Sequence, residues 1–257
     1  MIQYLRGRQG GRMTTRRLDQ QVVERGLAES REQAQRLIRA GAVRVDGRPA
    51  DKPGHRFPLD AEIARLAEAR FVGRGGEKLE EAFRRFPLDV AGRICLDVGA
   101  STGGFTDALL QHGAARVYAV DVGRGQLHPR LAGDPRVCVM DRCNARHLTP
   151  DRFPEPPSFA AVDVSFISLR LVFPAVREVL QPGGGIVTLI KPQFEVGRRE
   201  VGRGGVVRDE AARQRAVEGI QAFGTETLGL RWLGCCPSPL RGPAGNVEFL
   251  AHWEKPA

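Results

Sequence analysis

Lysine is scarce in this chain. Of 39 basic residues only Lys52, Lys78, Lys191 and Lys255 carry an amine, and the other 35 are arginines. Arginine serves wherever charge suffices, so a lysine kept against that bias marks a place where an amine does what a guanidinium cannot, such as giving up its proton. Cysteine is sparse and unpatterned as well. Cys95, Cys138, Cys143, Cys235 and Cys236 are odd in number and contain no C-x-x-C pair, which argues against a disulfide framework or a zinc knuckle and fits a reducing cytosol. No metal site is expected. Long hydrophobic runs are missing too: the longest clean one, Ile186 to Ile190, has Thr188 inside it and is far too short to span a bilayer, and no signal-peptide pattern opens the chain. The expectation is a soluble, cytoplasmic protein that does not insert into membranes.

What is present is a globular composition with a basic balance. The 257 residues are 42% hydrophobic with a net charge of +9, enough for one domain near 180 residues and a smaller module beside it. The charge is compatible with a polyanionic partner, most simply nucleic acid. Residues 1–13, rich in glycine and arginine and without periodicity, read as a disordered basic extension. Residues 14–65 form a compact pattern: Leu18, Val22 and Val23 at helical spacing, then Ser30 and Gln33 as a capping box, then a second helix burying Ala34, Leu37 and Ile38. Val43 and Val45 alternate into the Asp46-Gly47 turn. This stretch resembles the S4 RNA-binding domain. Arg17, Arg31, Arg36, Arg39, Arg44 and Arg48 crowd it and suit phosphate contacts along an RNA groove, although arginines in such numbers also suit a plain solvated face. Residues 66–76 read as a linker ending in a flexible Gly-Arg-Gly-Gly hinge, and 77–257 as the larger domain.

In that domain strands are expected near 93–98, 116–121, 136–140, 159–163, 185–190, 230–236 and 246–253, with helices near 102–112, 169–180 and 209–223. Alternation of this kind gives an α/β fold, a seven-stranded Rossmann-like sheet of the S-adenosylmethionine methyltransferase type, preceded by the small α+β S4-like domain. The cofactor is read from Ile94 to Phe105, a buried strand entering a glycine turn and a helix. A pyrophosphate would be repelled by a carboxylate at the mouth of such a turn, and Asp97 stands two residues before Gly99. An acidic, glycine-lined turn suits a ligand bearing an ammonium and a sulfonium, namely S-adenosylmethionine. Asp97, Gly99, Ser101, Thr102, Gly103 and Gly104 form the cradle; Asp121 closes the second strand, where a carboxylate takes ribose hydroxyls; Asp141 and Asn144 close the third, near an adenine edge. Turn-capping is the plainer alternative for these last three.

Two of the four lysines fall at strand or helix ends of this domain. Lys191 ends the 185–190 strand and opens Lys-Pro-Gln-Phe-Glu195, Asp163 ends the neighbouring strand in Asp-Val-Ser-Phe-Ile-Ser-Leu169, Lys78 follows the glycines, and Glu248 lies in Gly-Asn-Val-Glu-Phe249. Singly, each also reads as a surface charge or half of a structural ion pair. Together with the Asp97 to Phe105 loop, these segments resemble the TlyA family, hemolysin-named ribosomal RNA 2′-O-methyltransferases with an S4 domain and an FtsJ-like catalytic domain. The resemblance covers residues 14–253 and implies that Lys78, Asp163, Lys191 and Glu248 form a catalytic tetrad, that Asp163 also touches the cofactor, and that a cytidine in ribosomal RNA of the ribosomal subunits is the substrate. The segment before Met13 departs from the family pattern. A ribose hydroxyl is a weak acid and lysine, with an ordinary pKa near 10.4, is a poor base until a neighbouring cation and desolvation lower it, which gives Lys78 and Lys191 complementary uses. Arg198 and Arg199 lie in a basic segment, 197–207, that reads either as a lid over RNA or as a plain connection. The remaining classes are a noncatalytic RNA-binding or ribosome-assembly factor and a membrane-active hemolysin, the latter disfavoured because no segment is able to insert. Oligomeric state leaves no trace in the sequence.

Overall fold

The computed structural model describes residues 14–39, 41–65 and 70–257; the basic extension expected at 1–13 and linker residues 66–69 lie outside the described residues. The chain divides into two units, with the boundary after Ala69. In the first, β1 (Thr15–Arg17) is followed by α1 (Leu18–Glu24), α2 (Arg31–Arg39), β2 (Val43–Val45), β3 (Arg48–Pro49), β4 (Arg56–Pro58) and β5 (Ile63–Arg65). β1 pairs with β4, and β2 is the centre of a three-stranded antiparallel sheet with β3 and β5. Leu18, Val22, Ala34, Ile38 and Val43 are fully buried and hold the two helices on this sheet. Asp46 and Gly47 both have positive φ, 48° and 75°, the mirror-image turn that joins right-twisted strands, as the Asp-Gly pair predicts. The capping box is only half as expected: Ser30 Oγ accepts from Gln33 N at 3.2 Å, but Gln33 Oε1 accepts from Glu29 N, one residue earlier than the reciprocal bond.

The second unit runs α3 (Gly75–Arg85), β6 (Ile94–Val98), α4 (Gly104–Gln111), β7 (Arg116–Val120), α5 (Pro129–Ala132), β8 (Val137–Met140), β9 (Phe159–Val162), α6 (Leu169–Val179), β10 (Gly185–Ile190), α7 (Pro192–Glu195), α8 (Glu210–Ala222), β11 (Arg231–Pro237) and β12 (Phe249–Glu254). Its seven strands lie in the order β11-β12-β10-β9-β6-β7-β8, all parallel except that β12 runs antiparallel to both neighbours. Leu96, Val98, Ala160, Val162 and Ile186 face one core, covered by α6 and α8, while Cys95, Ala161, Val187 and Leu189 face the other, covered by α3 and α4. Burial on both faces explains why these strands read as continuous apolar runs. The order reverses between β6 and β9, so the crevice at their carboxyl ends is where such a sheet takes a ligand.

Two expectations change. Gly75 and Gly76 form the first turn of α3, not slack chain, and a Cβ on Gly104 would come within 2.7 Å of Gly76 N. These glycines let the starts of α3 and α4 touch backbone to backbone. The last strand begins at Phe249, because residues 242–248 are folded back by a bond from Gly242 N to the Asn246 carbonyl at 2.9 Å. Among the described residues no helix is long and apolar enough to cross a membrane, and no cluster of three or more histidine, cysteine or acidic side chains is placed to hold a metal ion.

Candidate active site

β6 delivers the chain into the glycine turn at the reversal point. Gly99 has φ +87°, and a Cβ there would stand 2.3 Å from the Asp163 carbonyl oxygen, so only glycine lets the turn pass the end of β9. Ser101, also left-handed at φ 49°, donates its N–H to Asp121 Oδ2 at 2.8 Å, and Asp121 Oδ1 accepts from Gly123 N at 2.7 Å. Gly103 (φ +98°) lies against Leu127 and Leu131 and turns the chain into α4. A cavity of about 400 Å³ opens here, with Gly99, Ser101, Asp121, Asn144 and Asp163 among polar linings and Val120, Val122, Ile167 and Val172 among apolar ones. A smaller cleft beside it is lined by Arg74, Thr102, Gly104 and Phe105 together with Gly99, Ser101 and Asp163.

Three residues read as cofactor-binding line neither the cavity nor the cleft. Gly103 shapes the turn, Asp141 Oδ2 accepts from Gly125 N at 2.8 Å and holds the 123–125 turn, and Asp97 is wholly buried, pointing toward α4. Thr106 Oγ1 donates to Asp97 Oδ2 at 2.6 Å, while Asp97 Oδ1 has no partner. Burial pushes the Asp97 carboxyl up to about 7 against the Thr106 bond, and the Asp163 and Asp121 carboxylates push in the same direction as burial.

Sheet register brings the four tetrad residues to one place. Val162 pairs with both Val98 and Thr188, and Ile190 lies opposite Phe249, so Asp163, Lys191 and Glu248 follow one another across the ends of β9, β10 and β12. Lys78 reaches them from the first turns of α3. Lys78 Nζ lies 2.6 Å from Glu248 Oε2 and 3.9 Å from Asp163 Oδ2; Lys191 Nζ lies 2.6 Å from Asp163 Oδ1. Both lysines and Glu248 are buried, and the Asp163 side chain is 19% exposed, which leaves it as the face that opens to the cavity. Two amines set against two carboxylates satisfy the requirement that buried charge be paired.

Three further residues complete the geometry and are not singled out by sequence reasoning. Lys191 Nζ donates to Ser165 Oγ at 2.7 Å. Glu195 accepts from Ser168 Oγ at 2.6 Å and from Leu169 N at 2.8 Å, which caps α6 and ties the Lys191 segment to the Asp163 segment; burial holds its carboxyl above the usual carboxylate range despite those two donors. Phe166, between them, is 92% exposed in a left-handed conformation (φ 63°), its ring 5.5 Å from that of Phe194, at the cavity wall. All three lie inside the two motifs that carry Asp163 and Lys191, and an exposed phenylalanine in such a motif is the signal available.

The arginines divide. Asp19, fully buried, accepts from Arg17 at 3.0 Å, from Arg31 at 3.0 Å and from Gln35 at 2.9 Å; burial raises its carboxyl, but these bonds outweigh it and hold the group well below the usual range. Arg17 and Arg31 are thus partly committed to the fold. Arg44 bonds the Gly47 carbonyl at 3.1 Å, while Arg36, Arg39, Arg48, Arg198 and Arg199 have no ion pair among the described residues.

The description "FtsJ-like methyltransferase" matches residues 71–255, and "S4 domain" matches residues 16–63. A Mycobacterium tuberculosis (strain ATCC 25618 / H37Rv) protein named 16S/23S rRNA (cytidine-2′-O)-methyltransferase TlyA is 48% identical over 236 residues, covering 91% of this chain and 88% of that protein. Hemolysin A of Brachyspira hyodysenteriae is 42% identical over 238 residues, 92% of this chain and 99% of its own length. A solved structure from Streptococcus thermophilus that carries the hemolysin name superposes with a TM-score of 0.74 at 46% identity, covering 95% of this chain and 90% of that one. With the catalytic-domain match spanning most of the chain and TlyA aligned over nine-tenths of it, this chain belongs to the TlyA family of FtsJ-like methyltransferases.

Proposed function

We propose that this chain methylates the 2′-oxygen of a cytidine ribose in ribosomal RNA, using S-adenosylmethionine, in the cytoplasm. The observation that carries the reading is the meeting of Lys78, Asp163, Lys191 and Glu248 beside the glycine turn, with Asp163 belonging to both the tetrad and the cavity wall. The names of the TlyA relatives supply the substrate class.

The cavity fits the cofactor on its own terms. Its walls combine an apolar face, Val120, Val122 and Ile167, with carboxylates at Asp121 and Asp163, and Asp97 is buried behind the glycine turn; acidic groups in this arrangement favour a cationic ligand. Gly99 lets the turn pass against the Asp163 backbone, which a Cβ would strike, and so sets the wall that the turn and β9 share. Asp121 retains lone pairs beyond those given to Ser101 and Gly123 and holds ribose hydroxyls; Asn144 meets the adenine edge. When bound, S-adenosylmethionine supplies a methyl group made electrophilic by its sulfonium.

The chain's own residues do the rest. Lys191, fixed between Asp163 and Ser165, orients the 2′-hydroxyl; once its ammonium has passed a proton to solvent, the amine takes up the hydroxyl proton as the oxygen–methyl bond forms and the sulfur–methyl bond breaks. Lys78 and Glu248 flank the ribose and hold Asp163 in place, so donor and acceptor meet as neighbours and not as free reactants. The exposed ring of Phe166 offers a face on which a splayed-out base can stack. Arg36, Arg39, Arg44 and Arg48 of the S4 unit, with Arg198 and Arg199, bind phosphates, and Arg17 and Arg31 add what their Asp19 pairing leaves free. Incubation with tritiated S-adenosylmethionine and separated ribosomal subunits, followed by mapping of the label, tests the reading. Label on a cytidine 2′-oxygen is expected; cofactor binding without incorporation would reduce the chain to an RNA-binding factor.

A further inference from the structure

Asn246 lies two residues before Glu248, outside any strand, and is 2% exposed. Its side chain makes two bonds to one loop: Oδ1 accepts from Val207 N at 2.9 Å, and Nδ2 donates to the Gly205 carbonyl at 2.8 Å. An asparagine is suited to this because one planar group offers an acceptor and a donor together, which neither aspartate nor leucine of similar size provides. The Asn246 carbonyl also accepts from Gly242 N at 2.9 Å, so the side chain projects from a closed turn and not from a loose strand end. The loop is itself a small closed structure, since Gly202 N donates to the Val206 carbonyl at 3.0 Å, and Val207 is buried at its base. Arg203 sits at its exposed tip, and Arg198 and Arg199, exposed and without an ion pair among the described residues, precede it.

One short segment therefore has two attachments. Glu248 holds Lys78 inside the tetrad, and Asn246 holds the basic loop beside it. We infer that Asn246 is a positioning residue, which fixes the arginine-bearing 198–208 loop relative to Glu248 so that phosphate contacts and the Lys78 amine of the tetrad are set by the same turn. The inference rests on the RNA-methylating reading given above. Asn246 touches neither substrate nor cofactor in this role; it acts through the loop.

Three measurements on the full-length protein test this. Asn246→Ala removes both bonds and raises the KM for ribosomal subunits about tenfold, while kcat and the Kd for S-adenosylmethionine stay within about twofold. Arg203→Ala raises the same KM about fivefold, and in the Asn246→Ala background it adds less than about twofold, because the loop is already misplaced. Limited trypsin digestion cuts Asn246→Ala at Arg203 at least about tenfold faster than the wild type, which reads the clasp without any RNA. Where Asn246→Ala folds poorly, Asn246→Asp keeps the Val207 bond, loses the Gly205 bond and gives an intermediate KM and cleavage rate. Wild-type cleavage and KM in Asn246→Ala, effects of the two substitutions that multiply, or an equal loss of cofactor affinity overturn the inference. A wild-type protein that methylates no ribosomal RNA removes the proposed activity, whereas the trypsin comparison still decides the role of Asn246 in the loop.

Discussion

Lys78 Nζ and Glu248 Oε2, 170 positions apart in the chain, meet at 2.6 Å inside the second unit, with the Glu248 side chain 1% exposed. A pair so buried is costly to break from one side, since the survivor keeps its charge and loses its partner. It is much less costly to replace as a whole.

Lys78→Met accordingly lowers the unfolding free energy by about 3 kcal/mol in urea and abolishes methyl transfer. Adding Glu248→Leu to it restores most of the stability and none of the activity. A Lys78→Met protein as stable and as active as the wild type would show that this contact neither holds the fold nor serves the reaction.

Gly99→Ala is predicted to fail at the cofactor step. The new Cβ would stand 2.3 Å from the Asp163 carbonyl oxygen in a left-handed conformation, so the turn must move away from β9 and take the cavity wall with it. Calorimetric titration should show S-adenosylmethionine affinity reduced at least about tenfold, equivalent to about 1.4 kcal/mol. Gly92→Ala, also at positive φ but with open space around it, is the control that loses stability and keeps affinity.

Asp97 sets a pH dependence. Its carboxyl, pushed up to about 7 mainly by burial, takes up a proton in the folded state that the unfolded chain, with a carboxyl near 3.9, releases. The stability this provides is full below pH 4 and is lost as pH rises through about 7. A cationic ligand among Asp97, Asp121 and Asp163 favours the ionised form, so cofactor affinity increases with pH across the same interval. Asp97→Asn should flatten that slope; an unchanged slope in the variant would assign it to another group.

Most of the sheet is legible before folding, and the reason is physical. Strands buried on both faces must be apolar throughout, and β6, β9 and β10 announce themselves as runs such as Ile186 to Ile190. Scarcity of lysine likewise marks Lys78 and Lys191. Hidden from sequence are the relations that register creates. Ser165 meets Lys191 across 26 positions, and Glu195 meets Ser168 across 27, because β9 and β10 are aligned at Val162 and Thr188. Nothing local to either residue specifies that alignment. Gly75 and Gly76 mislead for a related reason: flexibility and close packing use the same residue type, and only the approach of Gly104 tells them apart. Arg17 and Arg31 belong here too, since a buried Asp19 is not distinguishable in sequence from a surface one.

Lys191→Arg keeps a positive charge next to Asp163 and Ser165 but replaces an amine able to exchange its proton by a guanidinium that is not. Tritium transfer from S-adenosylmethionine to ribosomal subunits, measured beside cofactor affinity, should fall to background with the Kd within about twofold of wild type. Turnover near the wild-type rate in that variant would contradict a role for the Lys191 amine in moving the hydroxyl proton.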